Sequence, residues 1–214
     1  PFHENGDVNY EMASKLAKAI VDSGSDGLVI GGTTGEAPTI SDDEKLKLFS
    51  VIKESIGTDH ALIAGTTNNN TKESIKLSKL AESENVDGLL LTVPSYNKPT
   101  QEGLYQHFKA ISEEVSIPCI LYNVPSRTSL NMDDETTVKL SELKNIIGIK
   151  EASNDLDQIT RIINNTSADF KVWSGNDNET LYIMAAGGYG IVSVAGHIVS
   201  TQINQMIGYL LEGN

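Results

Sequence analysis

Hydrophobic positions along the chain fall into two alternating rhythms. Short, nearly continuous apolar runs rich in β-branched residues occupy 26–30, 61–64, 86–92, 119–122, 146–149, 170–173 and 190–194. Between them, at 10–23, 41–56, 71–83, 101–115, 132–143, 156–164 and 178–186, apolar residues recur every three or four positions. In the first of these stretches Leu16, Ala17, Ile20 and Val21 share one face. The longer period marks amphipathic helices, and the short continuous runs mark strands buried on both faces. Ser41 with Glu44 reads as a capping box at one helix start, and Thr71 with Ser74 as a weaker version.

Strands of this kind alternating with helices predict a parallel sheet covered by helices. Seven units repeating at roughly 20–34 residues suit a (β/α)8 TIM barrel better than an open sheet. A doubly wound sheet is the alternative; the lack of Gly-x-Gly-x-x-Gly after the first strand weakens a dinucleotide-binding version of it. The barrel reading places an eighth strand before Pro1, because the chain opens directly into a loop and a helix. The expectation is one barrel domain over 1–214, as a fragment lacking its first strand. Such a loss exposes two strand edges and invites aggregation or pairing with another chain.

Composition narrows the function classes. A formal charge of −13, from 29 acids against 16 bases, leaves no basic stripe for phosphates and argues against nucleic acid. No apolar run reaches the roughly 18 residues of a membrane span, and no secretory signal opens the chain. The one cysteine, Cys119, sits in an apolar run as a small buried hydrophobe, compatible with a reducing cytosol.

In a barrel the chemistry sits at the carboxyl ends of the strands. The segments there are 31–36, 93–99, 122–128, 150–153, 174–177 and 193–197. Lys150 follows Ile146, Ile147, Gly148 and Ile149, so its stem starts inside the barrel wall. Burial lowers a lysine pKa and frees the amine to attack a carbonyl, whereas a snorkelling lysine pairs with a carboxylate at the rim. Position alone does not separate these; the neighbours do. Thr33 and Thr34 supply hydroxyls among glycines that let backbone N–H groups approach a carboxylate. Tyr122 ends the preceding strand and can pass a proton, and Arg127 offers a fork that matches a carboxylate. The segment 176–179 (Asn-Asp-Asn-Glu) reads as a loop capping the next helix rather than a cation site. His107 reads as structural or solvated, Trp173 as core, and His197 has no assigned role.

These residues carry a resemblance. Residues 27–36 (Gly-Leu-Val-Ile-Gly-Gly-Thr-Thr-Gly-Glu), with Ile40 and Glu44, resemble the first signature of the dihydrodipicolinate synthase/N-acetylneuraminate lyase family. Residues 122–128 (Tyr-Asn-Val-Pro-Ser-Arg-Thr) and 146–152 (Ile-Ile-Gly-Ile-Lys-Glu-Ala) resemble the second. Thr33-Thr34, Tyr96-Asn97-Lys98-Pro99 and Ser126-Arg127-Thr128 favour the dihydrodipicolinate-forming branch over the sialic acid lyases.

The resemblance implies a class I aldolase-type lyase in which Lys150 forms a Schiff base with pyruvate, and the enamine attacks L-aspartate 4-semialdehyde. Thr33, Tyr122 and Tyr96 would form a proton relay, with Tyr96 donated across the tight interface of a homodimer or homotetramer. Thr34 would hold the pyruvate carboxylate and Arg127 that of the semialdehyde, while Gly175 and Val192 line the pyruvate pocket. No metal or organic cofactor is implied. A sister lyase acting on a sugar-derived 2-keto acid, and a non-catalytic keto-acid binder, remain the alternatives. The family also continues past this chain's last residue into a C-terminal helical region. Asp42, Lys45 and Ser95 stand where lysine-inhibited members carry histidines and a second tyrosine, although Asn69 and Glu73 still match the lysine site. That departure implies weak or absent lysine feedback.

Overall fold

The computed structural model describes residues 1–213. Seven strands lie in one sheet in chain order: β1 (Gly27–Ile30), β2 (Ala61–Gly65), β3 (Gly88–Thr92), β4 (Cys119–Asn123), β5 (Ile146–Glu151), β6 (Lys171–Ser174) and β7 (Gly190–Ile191). Every neighbouring pair is parallel. Among the described residues β1 and β7 do not pair with each other, so the sheet curls into an incomplete (β/α) barrel. No eighth strand lies among the described residues.

The helices are α1 (Tyr10–Asp22), α2 (Asp42–Ile56), α3 (Thr71–Ser83), α4 (Gln101–Ser112), α5 (Pro125–Thr128), α6 (Asp134–Ser141), α7 (Leu156–Asn165), α8 (Thr180–Ala185) and α9 (Gly196–Leu211). Their apolar faces close on the outside of the sheet, burying Phe49, Leu62, Leu89, Leu104, Phe108, Leu121 and Ile149 in one core. A second, smaller cluster fills the inside of the curl, with Leu90, Ile120, Tyr122, Val124 and Ala152. This split follows from alternation: β3, buried except at Thr92, and β4, wholly buried, send successive side chains to opposite faces. Helix α9 returns to the first strand, where Ser200 Oγ lies 2.8 Å from Ser25 Oγ and Asn204 Nδ2 donates to the Gly24 carbonyl at 2.7 Å.

Local signals behave as their chemistry dictates, with two exceptions. Ser41 Oγ accepts from the Glu44 N–H while Glu44 receives the Ser41 N–H, a complete capping box. Thr71 is not the cap of α3, however. Asn70 takes that position, accepting from the Lys72 and Glu73 N–H groups, and the Ser74 hydroxyl donates back to the Asn68 and Asn70 carbonyls. An Asx side chain reaches the first free N–H groups more readily than the threonine that follows it. The other exception is Asp177, which does not cap α8. Its carboxylate accepts from the Val194 and Ala195 N–H groups and the Ser193 hydroxyl, clipping the entry of α9 to the end of β6.

His107 is buried, its Nδ1 2.8 Å from the Thr71 hydroxyl, so the structural reading holds over the solvated one. Cys119 is fully buried. No helix among the described residues is long and apolar enough to cross a membrane.

Candidate active site

The two sheet-end segments that matter first are β4 and β5, which pair Tyr122 with Lys150 and Asn123 with Glu151. Paired residues of parallel strands point to the same face, so Tyr122 and Lys150 both look into the curl and Asn123 and Glu151 look outward. Lys150 lies inside β5 rather than after it, which fixes its stem along the wall. It is 9% exposed, and its Nζ stands 4.2 Å from the centre of the Tyr122 ring. Burial brings its pKa down to about 8, with the Asp177 carboxylate pulling weakly the other way. Tyr122 is also buried, which pushes its phenol above the ordinary value, while the Arg127 charge acts in the opposite direction. Among the described residues its hydroxyl makes no hydrogen bond, so the group is free to work.

The glycine-rich loop is shaped by close approach. Gly31 has φ +72°, and a Cβ on Gly65 would meet the Gly31 carbonyl oxygen at 2.3 Å. Only glycine at both positions lets the loop fold over the end of β2. It then enters a 3₁₀ turn, Thr33–Gly35, whose first two amides, of Thr33 and Thr34, donate to no group among the described residues. Both threonines are exposed at the mouth. Two free N–H groups and two hydroxyls in one turn make a carboxylate receptor.

Gly175, just past β6, supports Lys150 from the other side. A Cβ there would lie 2.8 Å from Ala152 Cβ, 3.0 Å from the Glu151 carbonyl and 3.2 Å from Lys150 Cε, so any side chain displaces the lysine stem. Trp173 pairs in register with Lys150 and is partly buried among the inner cluster, forming wall below the amine. It is thus core, as its apolar run suggests, but of the inner face.

A cavity of about 1170 Å³ runs through the curl and is lined by Thr33, Thr34, Tyr122, Arg127, Lys150, Gly175 and Val192. Seven of the eight residues singled out by sequence therefore share one space. Arg127 stands exposed at its rim on the short helix α5, and Val192 lies just beyond β7. Tyr96 does not line the cavity. It is 90% exposed with φ +73°, in a loop where Lys98 also has positive φ. No hydrogen bond links Thr33, Tyr122 and Tyr96 among the described residues. His197 lines the cavity on its exposed side. No cluster of metal-binding side chains occurs among the described residues.

Sequence reasoning passed over the layer directly behind the site. Glu151 is fully buried, and enclosure raises its carboxyl pKa to about 7 although Asn123 and Ser153 donate to it. The available signal was strand alternation, which puts an acid next to an inward lysine on the covered face.

The chain resembles known proteins over its whole length. The model of the dihydrodipicolinate synthetase family matches residues 1–214. A 4-hydroxy-tetrahydrodipicolinate synthase of Dehalococcoides mccartyi is 54% identical over 214 residues, covering 100% of this chain and 72% of that protein. The crystal structure of a dihydrodipicolinate synthase from Bacillus anthracis superposes with a TM-score of 0.97 at 44% identity, covering 100% of this chain and 73% of that one. A chloride-inhibited dihydrodipicolinate synthase from Acinetobacter baumannii, complexed with pyruvate, superposes at 0.97 with 37% identity, covering 100% and 74%. With its lysine, tyrosine and threonine turn gathered around one cavity and the match unbroken from end to end, the chain belongs to the dihydrodipicolinate synthetase family.

Proposed function

We propose that this chain condenses pyruvate with L-aspartate 4-semialdehyde to give 4-hydroxy-tetrahydrodipicolinate, on the route to lysine and diaminopimelate. The observation that carries the reading is a buried lysine amine 4.2 Å from a tyrosine ring, in the same cavity as two free backbone amides. The Lys150 amine adds to C2 of pyruvate, and the former carbonyl oxygen takes a proton and leaves as water, giving the imine. Loss of a C3 proton yields the enamine. Its C3 bonds to the aldehyde carbon, whose oxygen is protonated. The amino group of the semialdehyde then displaces Lys150 at C2, which closes the ring and frees the amine.

Tyr122 stands beside the nitrogen and carries protons through these stages, with Thr33 and Tyr96 completing the relay. Thr34 holds the pyruvate carboxylate through its free N–H and hydroxyl, while Gly175 and Val192 line the pyruvate pocket. Arg127, exposed at the rim, receives the semialdehyde carboxylate in a forked pair of hydrogen bonds. Because a sugar-derived acid offers hydroxyls where the semialdehyde offers a second carboxylate, Arg127 favours the latter. The test offers pyruvate with the semialdehyde or with aldehyde sugars. Turnover with the semialdehyde is expected, together with borohydride fixation of pyruvate on Lys150. Turnover with sugars alone would move the chain to the sister activity, and an unmodified lysine would make it a binder.

Tyr96 enters the site of a neighbouring subunit in a dimer, alone or as half of a tetramer. A nearly bare aromatic held at positive φ supports this, since a bulky residue adopts that backbone at a cost of order 1–3 kcal/mol and gains nothing from its own chain. Mixing Lys150→Ala chains with Tyr96→Phe chains should restore activity, because each mixed dimer contains one intact site, giving roughly a quarter of the normal rate in a statistical mixture. No recovery on mixing would mean that Tyr96 does not act across an interface. One buried cysteine suits a reducing compartment, and we assign the enzyme to the cytoplasm.

A further inference from the structure

Behind the wall that carries Tyr122 and Lys150 lies a buried polar knot with no assigned task. Asn123 leaves β4, and the chain then makes an excursion over 124–131 that bears Arg127 before returning to the side chain it left. Asn123 Oδ1 accepts from the Met132 N–H at 3.0 Å. Asn123 Nδ2 faces the Asn131 Oδ1 at 2.8 Å and the Met132 carbonyl at 3.2 Å. The same nitrogen donates to the two carboxylate oxygens of Glu151 at 3.1 and 3.3 Å. Gln158, from α7, closes the far side: it accepts from Asn131 Nδ2 at 2.7 Å and donates to the Met132 carbonyl at 3.2 Å.

Two hydrogens on Asn123 Nδ2 thus meet four acceptors. The carboxylate decides the contest, because a charge-assisted bond is about twice as strong as a neutral one. It holds the amide in one orientation, and that orientation presents Oδ1 to the Met132 N–H. A flipped amide would set its NH2 against that N–H and leave the foot of the excursion open. Within the excursion the bonds are short-range, from the Arg127 and Thr128 N–H groups to the Val124 carbonyl and from the Ser129 N–H to the Pro125 carbonyl. They shape α5 but do not moor it to the barrel. The mooring is the Asn123 knot, together with Gln101 of α4, whose Nε2 donates to the Asn131 carbonyl at 2.8 Å and leaves the Arg127 end of the excursion to the knot.

We infer that Glu151 is a positioning residue for the second substrate: through Asn123 it fastens the 124–131 excursion and so sets Arg127 over the site. This rests on Arg127 receiving the semialdehyde, as proposed above. The competing role is support of Lys150, its chain neighbour, and the two are separable because only that role touches the pyruvate half-reaction. Every group facing the carboxyl is neutral: Asn123 from β4, Ser153 from the turn after β5, and Gln158 from α7. Burial alone raises its pKa to about 7, so its charge is present above that value and lost below it.

The test compares the full-length chain with Glu151→Gln and with Asn131→Ala, which cuts the return hook without touching β5. Both variants should raise KM for the semialdehyde about tenfold, roughly the value of one good hydrogen-bonded placement. KM for pyruvate and the extent of borohydride trapping on Lys150 should change less than about twofold, a split that general loosening would not produce. In the unmodified chain the semialdehyde KM should rise as pH falls through about 7, and Glu151→Gln should remove that step. Amide exchange gives a readout that needs no substrate: Arg127, Thr128 and Ser129 should exchange faster in both variants while Leu121 and Ile149 stay protected. Equal losses in both half-reactions, or unchanged exchange at 127–129, would overturn the inference. Faster exchange in a chain that does not use the semialdehyde would uphold the mooring and refute the reading of Arg127.

Discussion

Replacing Lys150 with alanine should abolish pyruvate trapping by borohydride and lower turnover by at least ~10³-fold, about 4 kcal/mol of transition-state stabilisation. No other lysine lines the cavity among the described residues, and Arg127 cannot deprotonate. The same residue sets the pH dependence. A lysine in water, with pKa about 10.4, holds well under one molecule in a thousand as free amine at pH 7. With the pKa lowered to about 8, roughly a tenth is free, which is the difference between a dormant and a working nucleophile. The rate of imine formation should therefore rise with pH up to about 8 and then level. Lowering the pH protonates the amine, so the loss lies on the acid side. Mass analysis of trapped protein across this range checks both points, and a pyruvate adduct on Lys150→Ala would refute the assignment.

How much of this was legible in the sequence varies with the range of the interaction. The seven strands were legible because each is a run of apolar residues, and a parallel sheet covered by helices imposes that pattern directly. The boundary of β5 was harder. The apolar run stops at Ile149, yet the strand continues through Lys150 and Glu151, because register with Tyr122 and Asn123 holds them in the sheet. Polarity at a strand end conveys no pairing. The cap of α3 slipped by one residue for a similarly local reason, as Asn70 outcompetes Thr71 for the first free N–H groups. Thr33, Thr34, Tyr122, Arg127 and Lys150 could be gathered in advance because strand carboxyl ends converge in a barrel, whereas Gly175 and Val192 entered only through the family resemblance. Tyr96 cannot be placed by this reasoning, and one chain leaves it bare. The knot of Asn123, Asn131, Glu151 and Gln158 spans up to 35 positions, and nothing in the spacing of amides and acids reveals that they meet. Asp177 misled for the same cause: its partners, Ser193, Val194 and Ala195, are remote in the chain.

Replacing Tyr122 with phenylalanine should lower kcat by roughly 10²- to 10³-fold, the range expected for losing a positioned proton carrier. The substitution keeps the ring and hence the 4.2 Å approach of the Lys150 amine. It removes only a hydroxyl that makes no hydrogen bond among the described residues, so the melting temperature should hardly move. That combination separates chemistry from architecture, because a structural tyrosine would lose stability along with activity. KM for pyruvate should change little, since the carboxylate is received by the threonine turn. Trapping should reach the same final extent but more slowly, because water leaves the carbinolamine only after its hydroxyl is protonated. Burial keeps the phenol protonated at neutral pH, and the nearby Arg127 charge eases its passage to phenolate when the proton is given up. The group can thus donate first and recover the proton from C3 later. A Tyr122→Phe enzyme that traps pyruvate at the normal rate and turns over at more than about a tenth of the normal kcat would show that the proton travels another way, through Thr33 or solvent.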